Sequence, residues 1–160
     1  LISNATKERI YPVGRLDRNT TGLLLFTNDG EMAKKLTHPK SGIQKLYHAS
    51  LDKKLANSDL QKIAEGFTME DRRVIVDEIS YIINQPKEEV GVKIHSGRNR
   101  IVRRIFEHLG YDVKGLDRVM YANLTKKNVE RSKWRYLSEK EIRLLKFMNK
   151  SFTRKSAKDN

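Results

Sequence analysis

A chain of 160 residues with 38% hydrophobic content can bury one substantial core and is short for two independent domains. Thirty-three Lys and Arg against twenty Asp and Glu leave a net charge of +13, an imbalance that an anionic partner would relieve, with nucleic acid the leading candidate. No apolar run approaches the roughly 18 residues that span a bilayer, and the absence of cysteine excludes disulfides, thiolate zinc sites and cysteine nucleophiles, so a cytoplasmic setting without membrane attachment is expected.

Ile10 to Val13 reads as a strand entering a loop at Gly14 to Thr20, and the apolar run Gly22 to Thr27 is short enough for a buried strand. Asn28 or Asp29 can cap a brief helix through Leu36, beyond which Pro39, Ser41 and Gly42 mark a loop. Lys45 to Leu51 alternates as a strand does. Ser58-x-x-Gln61 has the capping-box pattern of a helix that Gly66 would end. Strand signals return at Val74 to Val76, Ile79 to Ile83 and Val90 to His95. Over Asn99 to Leu109, the residues Val102, Ile105, Phe106 and Leu109 share one helical face, while Arg98, Arg100, Arg103 and Arg104 project elsewhere. Val113 to Leu124 suggests further strand, and Ser138-x-x-Glu141 opens a last helix through Met148. Ser151 to Asn160 has the composition of a short, flexible, basic tail. Runs of strands with helices between some of them predict an α+β fold rather than a regular βαβ array.

The densest chemical signal is Gly14-Arg-Leu-Asp-Arg-Asn-Thr-Thr-Gly22. A carboxylate in a polar loop beside two arginines can act as nucleophile or as acid and base, although local chemistry alone favours a structural Asp that caps a turn. The four histidines are scattered without a paired carboxylate at ligand spacing, and no Gly-rich phosphate loop appears. Neither a metal nor a nucleotide cofactor is expected.

Three separated segments together resemble the RsuA/RluB type of RNA pseudouridine synthase. Tyr11-Pro-Val-Gly-Arg-Leu-Asp17 through Thr27-Asn-Asp-Gly30, followed by Leu36-Thr-His-Pro39, is similar to that family's first motif. Lys45-Leu-Tyr47 resembles its second, and Gly97-Arg-Asn-Arg-Ile-Val-Arg-Arg104 with Leu116-Asp-Arg118 its third. Lys133-Trp-Arg135 and the final helix fit its C-terminal end, so the likeness covers residues 8 to 148. Ile101 departs from the pattern: the family usually has Gln there, and an aliphatic side chain removes a hydrogen-bonding group near the site.

The resemblance implies a mixed, largely antiparallel sheet with flanking helices over residues 1–150, a catalytic domain without its first strand and without an upstream RNA-binding module. It implies Asp17 as the catalytic carboxylate, Tyr47 as the aromatic that packs on the target base, Arg103 as the charge partner of Asp17 and Leu116 as an apolar wall. On local grounds alone Arg103 would be a solvated helix residue, Tyr47 a core aromatic and Leu116 core packing. The implied reaction, isomerisation of a uridine in ribosomal RNA of the large-subunit type, requires the base to be flipped out of its stack. Arg15, Arg18, Lys45, Arg98, Arg100 and Arg104 are the candidate RNA contacts. The expected partner is ribosomal RNA, and the expected state a monomer. A non-catalytic RNA-binding or ribosome-assembly module retaining the fold is the alternative. A basic DNA-binding protein would call for a recognition helix or dimer symmetry that the sequence does not display.

Overall fold

The β-branched and aromatic alternation of the chain's middle third builds the central element of a computed structural model, which describes the backbone of residues 6–95, 98 and 100–158 and side chains through Met148. Three two-residue strands come first: β1 (Tyr11–Pro12), β2 (Thr21–Gly22) and β3 (Phe26–Thr27). Helix α1 (Gly30–Thr37) follows, capped by the Asp29 carboxylate, which accepts from the Met32 N–H at 3.1 Å. A 3₁₀ turn at Pro39–Ser41 leads to β4 (Lys45–Leu51) and helix α2 (Asn57–Glu65), which ends at Gly66 with φ +89°. Then come β5 (Phe67–Met69), β6 (Arg72–Val74), β7 (Glu78–Tyr81), β8 (Glu89–Ile94), helix α3 (Ile101–His108), β9 (Val113–Tyr121), β10 (Leu124–Thr125) and helix α4 (Glu139–Lys158).

The main sheet has the order β10-β9-β4-β8-β7, and every neighbouring pair on that path is antiparallel. Strand β2 joins β9 in parallel, so the α+β architecture with a mixed, largely antiparallel sheet is the one expected. One sheet face carries Ala49, Leu51, Val90, Val92 and Leu116 into a core closed by Ile63 of α2 and by Val102, Ile105 and Phe106 of α3. A second cluster joins Val13, Ala33, Leu36, Ile43 and Tyr121 to Leu145 of α4. Burial at this scale, about 1.5 to 3 kcal/mol for each large side chain, is what fixes strand register, because a slip of one residue would turn the apolar set to water.

Several expectations are corrected. The run Gly22 to Thr27 is not one buried strand: Leu23, Leu24 and Leu25 are half-buried and Phe26 is exposed. Its cause is Gly22, whose φ of +122° turns the chain off β9 after two paired residues. Ser58 does not cap α2, which begins at Asn57 behind Ala56; the Tyr111 hydroxyl instead accepts from the Ala56 N–H and donates to Asp59. The strand at Val74 stops there and pairs with β5 across Glu70 and Asp71, both at positive φ. The expected strand through Leu124 breaks at Ala122, φ +55°, into β9 and β10. The capping box at Ser138 is present, with Ser138 N–H donating to Glu141 at 2.8 Å and Glu141 N–H to the Ser138 hydroxyl at 3.2 Å. Helix α4 continues past Met148 to Lys158, into the stretch expected to be a tail, where no Gly or Pro stops it. The end of that stretch, residues 159–160, lies outside the described residues, as do Ser96 and, of the third motif, Gly97 and Asn99.

Candidate active site

Strand periodicity builds the floor of a pocket of about 310 Å³. Lys45 and Tyr47 are two apart on β4, and Leu116 and Arg118 two apart on β9, so each pair lies on one face of its strand. The register sets Tyr47 opposite Arg118 and Lys45 opposite Tyr121, with a bulge that leaves Val119 unmatched. That extra residue brings Arg118 and Tyr121, three apart in sequence, to the same face, where the guanidinium stands 5.1 Å from the Tyr121 ring centroid. Leu36 and the Pro39–Ser41 turn line one side of the cavity, and Ile94, Ile101 and Val102 another.

The loop Gly14–Gly22 brings Asp17 to this cavity together with Arg15, Leu16 and Thr20. It has few bonds of its own: the Thr20 N–H donates to the Asp17 carbonyl at 2.9 Å. Its ends are tied elsewhere. Val13, buried, donates its N–H to the Leu25 carbonyl at 2.7 Å. At the far end the Thr21 hydroxyl donates to Asp117 at 2.9 Å, and Arg118 donates from Nε and Nη2 to the Leu23 carbonyl at 2.9 and 2.6 Å. Gly22 approaches β9 so closely that a Cβ there would lie 2.3 Å from the Arg118 carbonyl oxygen. Asn19, at φ +70°, accepts at its carbonyl from Nη2 of Arg103 at 2.5 Å.

Asp17, Tyr47 and Leu116 therefore line one pocket. Arg103 does not line it. Buried at 6% exposure behind the loop, it donates to the carbonyls of Asn19 and Val113, and among the described residues no ion pair joins it to Asp17. The expected charge pair is thus replaced by a guanidinium that holds the loop backbone, because helix α3 turns Arg103 toward its core side. Of the expected RNA contacts, Arg15, Lys45, Arg98 and Arg100 line the pocket. Arg18 is exposed outside it, and Arg104 pairs with Glu70 of the β5–β6 turn. Arg118 is the lining residue that motif reading left without a role; its signal was the two-residue spacing from Leu116.

Among the described residues, five Lys and Arg line this cavity against one carboxylate, that of Asp17. Burial and the neighbouring Arg118 charge lower the Lys45 pKa. Burial pushes the Tyr121 hydroxyl up to about 12, against the opposing effect of Arg118, so this ring enters the cavity as a neutral phenol. Beside the site, burial raises the Asp117 pKa but hydrogen bonds from Lys126 and Thr21 outweigh it, leaving it lowered and ionised. No group of three or more His, Asp or Glu among the described residues could hold a metal ion, and none of the described helices is long and apolar enough to cross a membrane. A half-buried acid and an aromatic ring lining one cleft that otherwise attracts anions suit acid–base or nucleophilic chemistry on a polyanion.

Comparison with known proteins agrees with that geometry. A family model described as RNA pseudouridylate synthase matches residues 1–108. Ribosomal large subunit pseudouridine synthase B of Bacillus subtilis (strain 168) is 39% identical over 142 residues, covering 87% of this chain and 58% of that protein. An uncharacterized RNA pseudouridine synthase of Aquifex aeolicus (strain VF5) is 35% identical over 136 residues, covering 84% and 55%. A crystal structure of a pseudouridylate synthase superposes with a TM-score of 0.76 at 30% identity, over 85% of this chain and 59% of that one. The chain thus spans little more than half the length of these relatives. With the family model covering more than half of its residues, the chain belongs to the RNA pseudouridylate synthase family.

Proposed function

We propose that this chain is the catalytic part of an enzyme that isomerises uridine to pseudouridine in ribosomal RNA, of the large subunit by its likeness to the Bacillus subtilis relative. The observation that carries the reading is the composition of the pocket, a single carboxylate and a tyrosine ring among cations, since a protein that only binds RNA gains nothing from an acid there. In the reaction the N1–C1′ bond of uridine breaks, the uracil turns, and C5 bonds to C1′. The C5 proton passes to solvent and N1 takes up a proton, so atoms balance without a cofactor.

Each part of the site has a role in that sequence. Asp17 acts on the sugar or the base, as nucleophile or as proton shuttle. Tyr47 stacks on the base and Leu116 closes the apolar wall, keeping the detached uracil in place. A cavity of about 310 Å³ with both groups in its lining suits a flipped nucleotide, whose unstacking costs a few kcal/mol that flanking contacts must offset. Arg15, Lys45, Arg98 and Arg100 meet the phosphates on either side. Arg103 is a positioning residue: by holding the Asn19 carbonyl it sets the loop on which Asp17 sits. Arg118 does the same at Leu23.

Large-subunit ribosomal RNA carrying tritium at C5 of uridine tests the activity. Incubation with the protein is expected to release tritium into water, in amounts that approach one per RNA, with a much smaller yield from small-subunit RNA. Release no greater than in the absence of protein would refute the assignment. RNA affinity is also expected to fall with salt with a log–log slope steeper than about −3, as several phosphates are neutralised.

A further inference from the structure

Residues 126–146 hold eight Lys and Arg against three Glu, and among them stand Trp134, the one tryptophan of the chain, and Tyr136. Both rings are turned to solvent, Trp134 at 41% exposure and Tyr136 at 69%, although nearby Leu145 is buried in the second core. They touch edge to face, with centroids 5.3 Å apart at 89°. The backbone that presents them is pinned. Arg135, between the two, grips Glu141 with both terminal nitrogens at 2.8 and 2.7 Å, and Glu141 also accepts from the Ser138 N–H. The same Glu141 belongs to α4, which packs against the Pro39–Ser41 turn at the pocket rim. Two exposed rings thus touch each other on a segment that the Arg135–Glu141 ion pair ties to a helix abutting the site.

The surrounding charge selects the occupant. A second copy of this chain would bring a further +13 toward a segment that is already cationic. A duplex offers charge but hides its base faces. Unpaired RNA offers both phosphates and exposed π-faces, and stacking on aromatic side chains contributes about 1–3 kcal/mol per base. We propose that Trp134 and Tyr136 form a second RNA-contacting surface, outside the pocket, that stacks on unpaired bases flanking the target. The inference rests on the RNA-substrate reading for the identity of the RNA, yet binding can be measured without catalysis.

Because Trp134 is the only tryptophan, its emission reports on this surface directly. The 160-residue chain is titrated with an RNA of about 12 unpaired uridines and with a duplex of similar length. Strong quenching by the unpaired RNA and little by the duplex is expected. Trp134→Ala and Tyr136→Ala should each weaken binding of the labelled single strand, followed by anisotropy, by roughly tenfold, while Trp134→Phe retains part of it. The circular dichroism of all three should match the parent, since both rings are exposed. Emission unchanged at saturating RNA, equal quenching by duplex, or equal affinity in the alanine variants would overturn the proposal. So would an emission shift that follows protein concentration without RNA, which would identify a protein interface instead. The parent protein separates the two readings: quenching without tritium release leaves this surface standing and removes the catalytic one, and tritium release without quenching does the reverse.

Discussion

The floor of the pocket and the loop that carries Asp17 are held by different forces. On the floor, β4 has hydrogen-bonded neighbours on both sides, and its residues Ala49 and Leu51 sit in the main core with Val90, Val92 and Leu116. The loop Gly14–Gly22 has positive φ at Gly14, Asn19 and Gly22, and it borrows its restraint from two buried arginines, Arg103 at Asn19 and Arg118 at Leu23. Such a contrast is common where rigid elements place a group and a loop presents it. Here it means that the stability of the domain and the position of the acid are separable, with Gly22 and the two arginines as the points where they join.

The largest effect that would break this separation is expected at Gly22. Alanine there would set its Cβ 2.3 Å from one Arg118 backbone atom and 2.5 Å from another, at a φ that disfavours side chains. Gly22→Ala should cost about 3 kcal/mol or more in chemical denaturation and lower kcat as well. Loss of Arg103 comes next. Arg103→Met leaves the carbonyls of Asn19 and Val113 without their donor, costing about 2 kcal/mol, with kcat falling more than KM rises because the loop, not the binding floor, is released. An unchanged kcat in this variant would show that the loop needs no such support.

Lys45 sharpens the comparison from the side of the floor. Burial and the Arg118 charge disfavour its protonated form, so the native state gains stability as pH rises through the lowered folded pKa toward the unfolded value of about 10.4. Lys45→Met should therefore melt no lower than the parent at neutral pH, yet bind RNA several-fold more weakly, with a shallower salt slope. The smallest effect is expected far from both regions, at the start of α4. Glu141 is held down to about 2 by Arg135 and the Ser138 N–H, below its ordinary 4.5. Its stabilisation is present above pH 4.5 and lost as pH falls toward 2, so thermal melts of parent and Glu141→Gln should differ at neutral pH and converge in acid.

Much of this was legible in the sequence, and the gaps have physical causes. Asp17, Tyr47 and Leu116 could be named because three separated segments together resemble one family, whereas local chemistry alone favours a turn-capping Asp and ordinary core residues. Arg118 could have been found beside Leu116 from the period of two, but the bulge at Val119 that adds Tyr121 to the same face leaves no mark in the sequence. Arg104 was assigned to RNA because its partner lies on a hairpin whose turn, Glu70-Asp71, lacks the Gly or Asn that announces positive φ. The run Leu23 to Phe26 has the composition of a buried strand, and only the tertiary demand at Gly22 bends it away.

The most direct test of the central claim, that one carboxylate set in a cationic cleft performs the chemistry while the floor binds the RNA, is a single-turnover comparison of Asp17→Asn with the parent on tritiated ribosomal RNA at saturating protein. The account predicts that the variant releases no tritium while its RNA affinity stays within about threefold, since a side-chain amide in place of the carboxylate preserves shape but removes the charge, the basicity and the nucleophilicity. Release at the parent's rate would contradict it, as would a loss of RNA binding large enough to explain the loss of product.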